Sequence, residues 1–148
     1  MVGIIIVTHG QLARELILIT EFITGKVVGI EAVTTDPKMS VAEIKEDISR
    51  AVKKVDRGKG VLILTDMFGG TPSTISFSFL QDNRIEVVTG VNLPMLLKLS
   101  THDSDMPLGE LAEFIKSYGQ KNINVASEIL RKGSKQDGNG RADIRDQE

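Results

Sequence analysis

Hydrophobic positions in this chain fall into two alternating textures. Short unbroken runs rich in Ile and Val occur at Gly3 to Val7, Val27 to Val33, Val61 to Leu64 and Ile85 to Val88. Apolar runs without polar alternation suit strands covered on both faces. Between them the apolar positions spread to helical spacing. Gln11 to Thr24 is apolar at Leu12, Leu16, Ile19 and Ile23, with Gly25 placed to stop a helix. A second helix carries the stripe Val41, Ile44, Ile48, Ala51, Val52 and Val55, opened by a capping box of Ser40 and Glu43. A third is predicted to start at Thr71, with Thr71 as N-cap and Pro72 at the first helical position. Leu93 to Leu99 and about Leu108 to Leu130 read as two more helices, although Gly109 and Gly119 weaken the second.

Strand, helix, strand alternation implies right-handed crossovers and an α/β fold. The expected architecture is a doubly wound, mainly parallel sheet with helices on both faces and strand order 2-1-3-4. From Lys132 the chain turns polar, KGSKQDGNGRADIRDQE, with too few large apolar residues to offset the entropy of ordering. One domain over 1–131 and a polar, disordered tail over 132–148 are therefore expected.

Composition narrows the function. With 148 residues, 41% of them hydrophobic, the chain can build one sizeable core. A formal net charge of -2 provides no basic field to draw in phosphate backbones, so nucleic acid is not expected as a partner. There is no cysteine, which excludes disulfides and thiolate metal sites. No segment reaches the roughly 18 consecutive apolar residues of a membrane span, and the opening run has neither the length nor the basic flank of a signal peptide. No direct membrane insertion and a cytoplasmic location are expected.

In an open α/β sheet, ligands collect beyond the carboxyl ends of the strands, where successive crossovers turn to opposite sides. Two motifs end strands there: Thr8, His9 and Gly10 after the first, and DMFGGTP, Asp66 to Pro72, after the third. If the first and third strands are neighbours, Asp66 faces His9. A carboxylate that accepts the Nδ1 hydrogen of an imidazole leaves Nε2 as a directed nucleophile. Gly69 and Gly70 lead into a helix N-terminus at Thr71, where backbone N–H groups favour an anion. An imidazole beside such donors suits phosphoryl transfer, which needs mainly positioning and charge stabilisation. Taken singly, each piece has a plainer reading: a histidine after a strand is often a structural hydrogen-bonder, and a Gly-Gly before a helix is an ordinary turn. Met67 and Phe68 are either core or, if exposed, a docking surface for a protein. His102, Asp103 and Asp105 match no calcium-loop spacing and read as a solvated acidic loop, so no metal is expected. Gly58, Lys59 and Gly60 lack the spacing of a P-loop.

Three segments, IIIVTHG, GVLILTDMFGGTP and VVTGVNLPMLL from Val87 to Leu97, occur in that order. Together they resemble the mannose-type enzyme IIA proteins of the bacterial phosphoenolpyruvate-dependent sugar phosphotransferase system (PTS), over about Met1 to Leu130. The resemblance implies that His9 is phosphorylated through Nε2, that Asp66 is its hydrogen-bonding partner, and that Gly10, Phe68, Gly69, Gly70 and Thr71 surround the phosphoryl group. It implies the carrier HPr as donor, a IIB component as acceptor, association with membrane IIC and IID components, and no cofactor. It also implies a homodimer that exchanges an edge strand. Members often carry Trp at the position of Phe68 and Ser at that of Thr71. Two alternatives stay open: a regulatory protein whose phosphorylation state signals to a partner, and the phosphotransfer subunit of a dihydroxyacetone kinase-like system.

Overall fold

A computed structural model of the chain describes residues 1–102 and 105–137. Its elements run β1 (Gly3–His9), α1 (Leu12–Thr24), β2 (Ile30–Thr35), α2 (Val41–Val55), β3 (Val61–Thr65), α3 (Thr71–Phe77), β4 (Ile85–Thr89), α4 (Leu93–Thr101), α5 (Leu108–Lys121) and α6 (Ala126–Asp137). The four strands are parallel in the order β2-β1-β3-β4. This is the doubly wound arrangement expected from the alternation of runs, with its switch point between β1 and β3.

The sheet splits the core into two layers because alternate residues of a strand face opposite ways. Ile4 and Ile6 of β1 and Leu62 and Leu64 of β3 pack with Ala13 of α1, Met95, Leu96 and Leu99 of α4, and Leu111 and Ile115 of α5. Ile5, Val7, Val61 and Ile63 pack with Ile44, Ile48, Ala51 and Val55 of α2 and Ile75 of α3. Each large aliphatic side chain buried this way contributes about 1.5–3 kcal/mol, so β1, buried from Gly3 to Thr8, anchors the molecule. Its end is thereby fixed as well.

Several local expectations are corrected. The second strand begins at Ile30 rather than Val27, and it ends where Asp36 accepts the N–H of Lys38 through its side chain and that of Met39 through its carbonyl. In α1 the buried residues are Ala13 and Thr20, whereas Leu12, Ile19 and Ile23 lie exposed. Thr8 Oγ1 accepts the Ala13 N–H at 2.8 Å, and the face turned inward carries Ala13 and Thr20 with Leu16 and Ile17 packed against the core, so of the expected stripe only Leu16 faces the sheet. The helix expected over Leu108 to Leu130 is two helices. At the end of the first, Asn122 Nδ2 donates to the Tyr118 carbonyl and Asn92 Nδ2 to that of Gly119, so side chains take acceptors a longer helix would use. The second, α6, continues to Asp137, so the expected boundary between 131 and 132 falls inside it. The rest of the predicted tail, 138–148, and Asp103 of the acidic loop lie outside the described residues. His102 of that loop stacks on Phe114, ring centres 4.9 Å apart.

Candidate functional site

The register of β1 and β3 decides what meets at the switch point. Val7 pairs with Thr65, so the residues that follow leave the sheet side by side. His9 and Asp66, 57 positions apart in sequence, are brought into direct contact: His9 Nδ1 lies 2.7 Å from Asp66 Oδ2, and the His9 N–H donates to the same oxygen at 3.0 Å. The other oxygen, Oδ1, accepts the Met67 N–H at 3.0 Å. Partial burial raises the Asp66 carboxyl, but hydrogen bonds from the His9 N–H and ring, the His9 charge and the Met67 N–H outweigh it. Asp66 is held below its ordinary 3.8. A carboxylate so held can accept Nδ1–H, and in the neutral ring that arrangement leaves the Nε2 lone pair free. The His9 side chain is 53% exposed while that of Asp66 is 14% exposed, so the carboxylate is sheltered and the imidazole is open.

Of the remaining sequence-derived residues, Gly70 is the one whose contact with the ring is evident. Gly70 sits against it: a Cβ built at Gly70 would fall 2.6 Å from His9 Cε1 and 3.0 Å from Nε2. Gly69 adopts φ +96, a left-handed conformation that glycine alone takes without strain. Gly10 follows the histidine, with its N–H donated to the Thr35 carbonyl at 2.8 Å. Thr71 is exposed and stands at the first helical position of α3; the N-cap is Gly70, with extended φ −109 and ψ 173, which corrects the placement expected for Thr71. Phe68 is 73% exposed and Met67 52% exposed; Phe68 leans on Phe77, centres 5.9 Å apart.

Sequence reasoning missed Ser73. This residue, fully buried, accepts the N–H of Gly69 at 3.0 Å and of Gly70 at 3.2 Å through Oγ and donates to the Gly70 carbonyl at 3.0 Å. A side chain at the third helical position that reaches back to the N-cap N–H is half of a capping box, but Glu or Gln ordinarily supplies it, so a Ser after a Gly N-cap gives no such signal and its reach back to Gly69 needs the folded turn. Thr35, also missed, donates its hydroxyl to the Thr8 carbonyl at 3.0 Å and pins the end of β1 from the other side.

The class of protein these features define is structural: an open, parallel, doubly wound α/β domain with a carboxylate-paired imidazole at its switch point. The family model described as the PTS system fructose IIA component matches residues 3–116. The fructose-specific EIIA component of Bacillus subtilis (strain 168) is 32% identical over 89% of this chain and 91% of its own length. The mannose-specific EIIAB component of Escherichia coli (strain K12) is 30% identical over 84% of this chain, which spans only 39% of that relative. The crystal structure of the phosphotransferase system component EIIA from Streptococcus agalactiae superposes with a TM-score of 0.77 at 26% identity, covering 86% of this chain and 99% of that one. The chain belongs to the IIA component family of the sugar phosphotransferase system, whose members carry phosphoryl groups. Among the described residues no helix is long and apolar enough to cross a membrane.

Proposed function

We propose that this protein accepts a phosphoryl group on His9 Nε2 from HPr and passes it to a IIB component during sugar uptake. The observation that carries this reading is the 2.7 Å contact between His9 Nδ1 and Asp66 Oδ2. With Nδ1–H committed to the carboxylate, the Nε2 lone pair forms the N–P bond as the bond from phosphorus to the donor breaks. The ring keeps its Nδ1 hydrogen and becomes cationic, and the neighbouring carboxylate offsets that charge. The transfer reverses on the acceptor by the same geometry.

Donor and acceptor are both proteins in this reading, and the exposure of His9 together with exposed Leu12, Met67 and Phe68 supports a docking surface around the ring. Gly10, Gly69, Gly70 and Thr71 frame the space the phosphoryl group enters. Because α3 has only seven residues and the Gly69 and Gly70 N–H groups are engaged by Ser73 Oγ, the exposed Thr71 hydroxyl is the donor this reading relies on there, rather than a helix dipole or the turn amides expected from the sequence. The homodimer finds support in β4, an edge strand of this sheet, and in Ile123 and Val125, which stand exposed between α5 and α6. Contact with membrane IIC and IID components follows through the IIB partner.

Incubation with phosphoenolpyruvate, enzyme I and HPr should give one acid-labile phosphate on the peptide containing His9, located by mass spectrometry, and added IIB should remove it. Failure to label, or label on another peptide, sinks the reading. Gly70→Ala should slow labelling by roughly 10- to 100-fold in stopped-flow or quench measurements, since the new methyl meets the reactive edge of the ring. The backbone of Gly70 suits alanine, so the thermal melt should move little; an unchanged rate would show that the ring swings clear at no cost.

A further inference from the structure

Two adjacent glycines make the turn beside His9 the part of the site with the greatest freedom to wander, since glycine loses more backbone entropy on ordering than any other residue. Something must hold it. The Ser73 hydroxyl has one hydrogen and two lone pairs, and all three are engaged with this turn: Gly69 N–H and Gly70 N–H donate to it, and it donates to the Gly70 carbonyl. Its oxygen is held in turn by α3, whose residues Pro72, Ser73, Ile75 and Ser76 are buried. The turn it fixes is the one whose Gly70 backbone lies within a methyl's reach of His9 Nε2.

We infer that Ser73 is a positioning residue for phosphoryl transfer: through three hydrogen bonds it locks the Gly69–Gly70 turn against the reactive nitrogen of His9. The inference rests on His9 being the phosphorylated residue. The donor and both acceptor sites of the Ser73 hydroxyl are taken up by the turn, so it acts through the turn rather than on the ring or the phosphoryl group. Reacting groups must meet in a narrow range of distance and angle, so a loosened turn costs rate rather than capacity.

The test compares full-length wild type, Ser73→Ala and Ser73→Thr. Amide hydrogen exchange at Gly69 and Gly70 should be slow in the wild type and clearly faster in Ser73→Ala, while the Met67 amide, bonded to Asp66 rather than to Ser73, stays as it was. Phosphorylation by HPr should slow about tenfold in Ser73→Ala, measured well below its melting temperature, with the final stoichiometry unchanged. The His9 Nδ1–H resonance should not move, since the Asp66 contact is intact. Ser73→Thr, which keeps the hydroxyl, should recover most of the rate and the slow exchange. An unchanged rate in folded Ser73→Ala overturns the inference, as does unchanged exchange at Gly69 and Gly70. If the wild type itself takes no label, the phosphocarrier reading has failed, and the exchange measurements still decide whether Ser73 holds the turn.

Discussion

Replacing His9 by alanine is expected to abolish phosphoryl uptake while leaving the fold unchanged. The imidazole is more than half exposed and contributes little to either core layer, and the backbone N–H that bonds Asp66 remains. The sheet is held by the residues before it, Gly3 to Thr8, all buried. Circular dichroism and the melting temperature should therefore match the wild type within a few degrees, which makes the loss a chemical one. Specificity is checkable within the same chain, because its sequence contains two histidines. The other, His102, stacks on Phe114 in the acidic loop and has an Nε2 that is buried. Label that persists in His9→Ala and moves with His102 would show that the nucleophile had been misassigned.

Asp66→Asn should have the next largest effect, slowing phosphorylation of His9 by about 10³-fold. Three donors converge on this carboxylate: the His9 N–H and ring nitrogen on Oδ2 and the Met67 N–H on Oδ1. A carboxamide has only one acceptor oxygen, so either orientation sets its NH₂ group against an existing donor. It also brings no negative charge to offset the cationic phosphorylated ring. Quench-flow measurement of labelling by HPr tests the rate, and a variant within threefold of the wild type would remove Asp66 from the mechanism.

The same substitution tests the electrostatics through stability. Asp66 is held below 3.8, so its folded form binds a proton less readily than its unfolded form. Such a group adds stability above the unfolded value, and that stability disappears as pH falls through the lower folded value. Wild type should therefore exceed Asp66→Asn in urea melts at neutral pH, and the gap should close in acid below about pH 4. A gap that stays constant with pH would mean that the two differ by packing and not by charge.

How much of this was legible in the chain depended on the range of the physics involved. The unbroken runs at Gly3 to Val7 and Val61 to Leu64 marked buried strands because a strand covered on both faces has no polar side to display. Ser40 and Glu43 marked the start of α2 because capping is a contact three residues long, and the Ser40 hydroxyl indeed accepts the Glu43 N–H at 3.1 Å. The stripe of α1 misled. Leu12, Ile19 and Ile23 look outward while Leu16 of the same stripe packs on the core beside Ala13, Ile17 and Thr20, a rotation of the helix that goes with the bond from the Ala13 N–H to Thr8 across the strand end. The single helix expected after Leu108 failed for a similar reason, since Asn92, far back in sequence, caps the Gly119 carbonyl.

The sequence by itself determined the class of fold, the order of the elements, and a histidine and an aspartate at two strand ends, because each of these is set by local periodicity and by the short span between a strand and the loop after it. Only the tertiary structure decided that the two side chains lie 2.7 Å apart, that Gly70 presses on the ring, and that Ser73 holds the turn. Those facts follow from the parallel register of β1 and β3 and from the docking of α3 onto the sheet. Register is a property of two strands at once, fixed by which faces they bury together, and no single stretch of chain contains it.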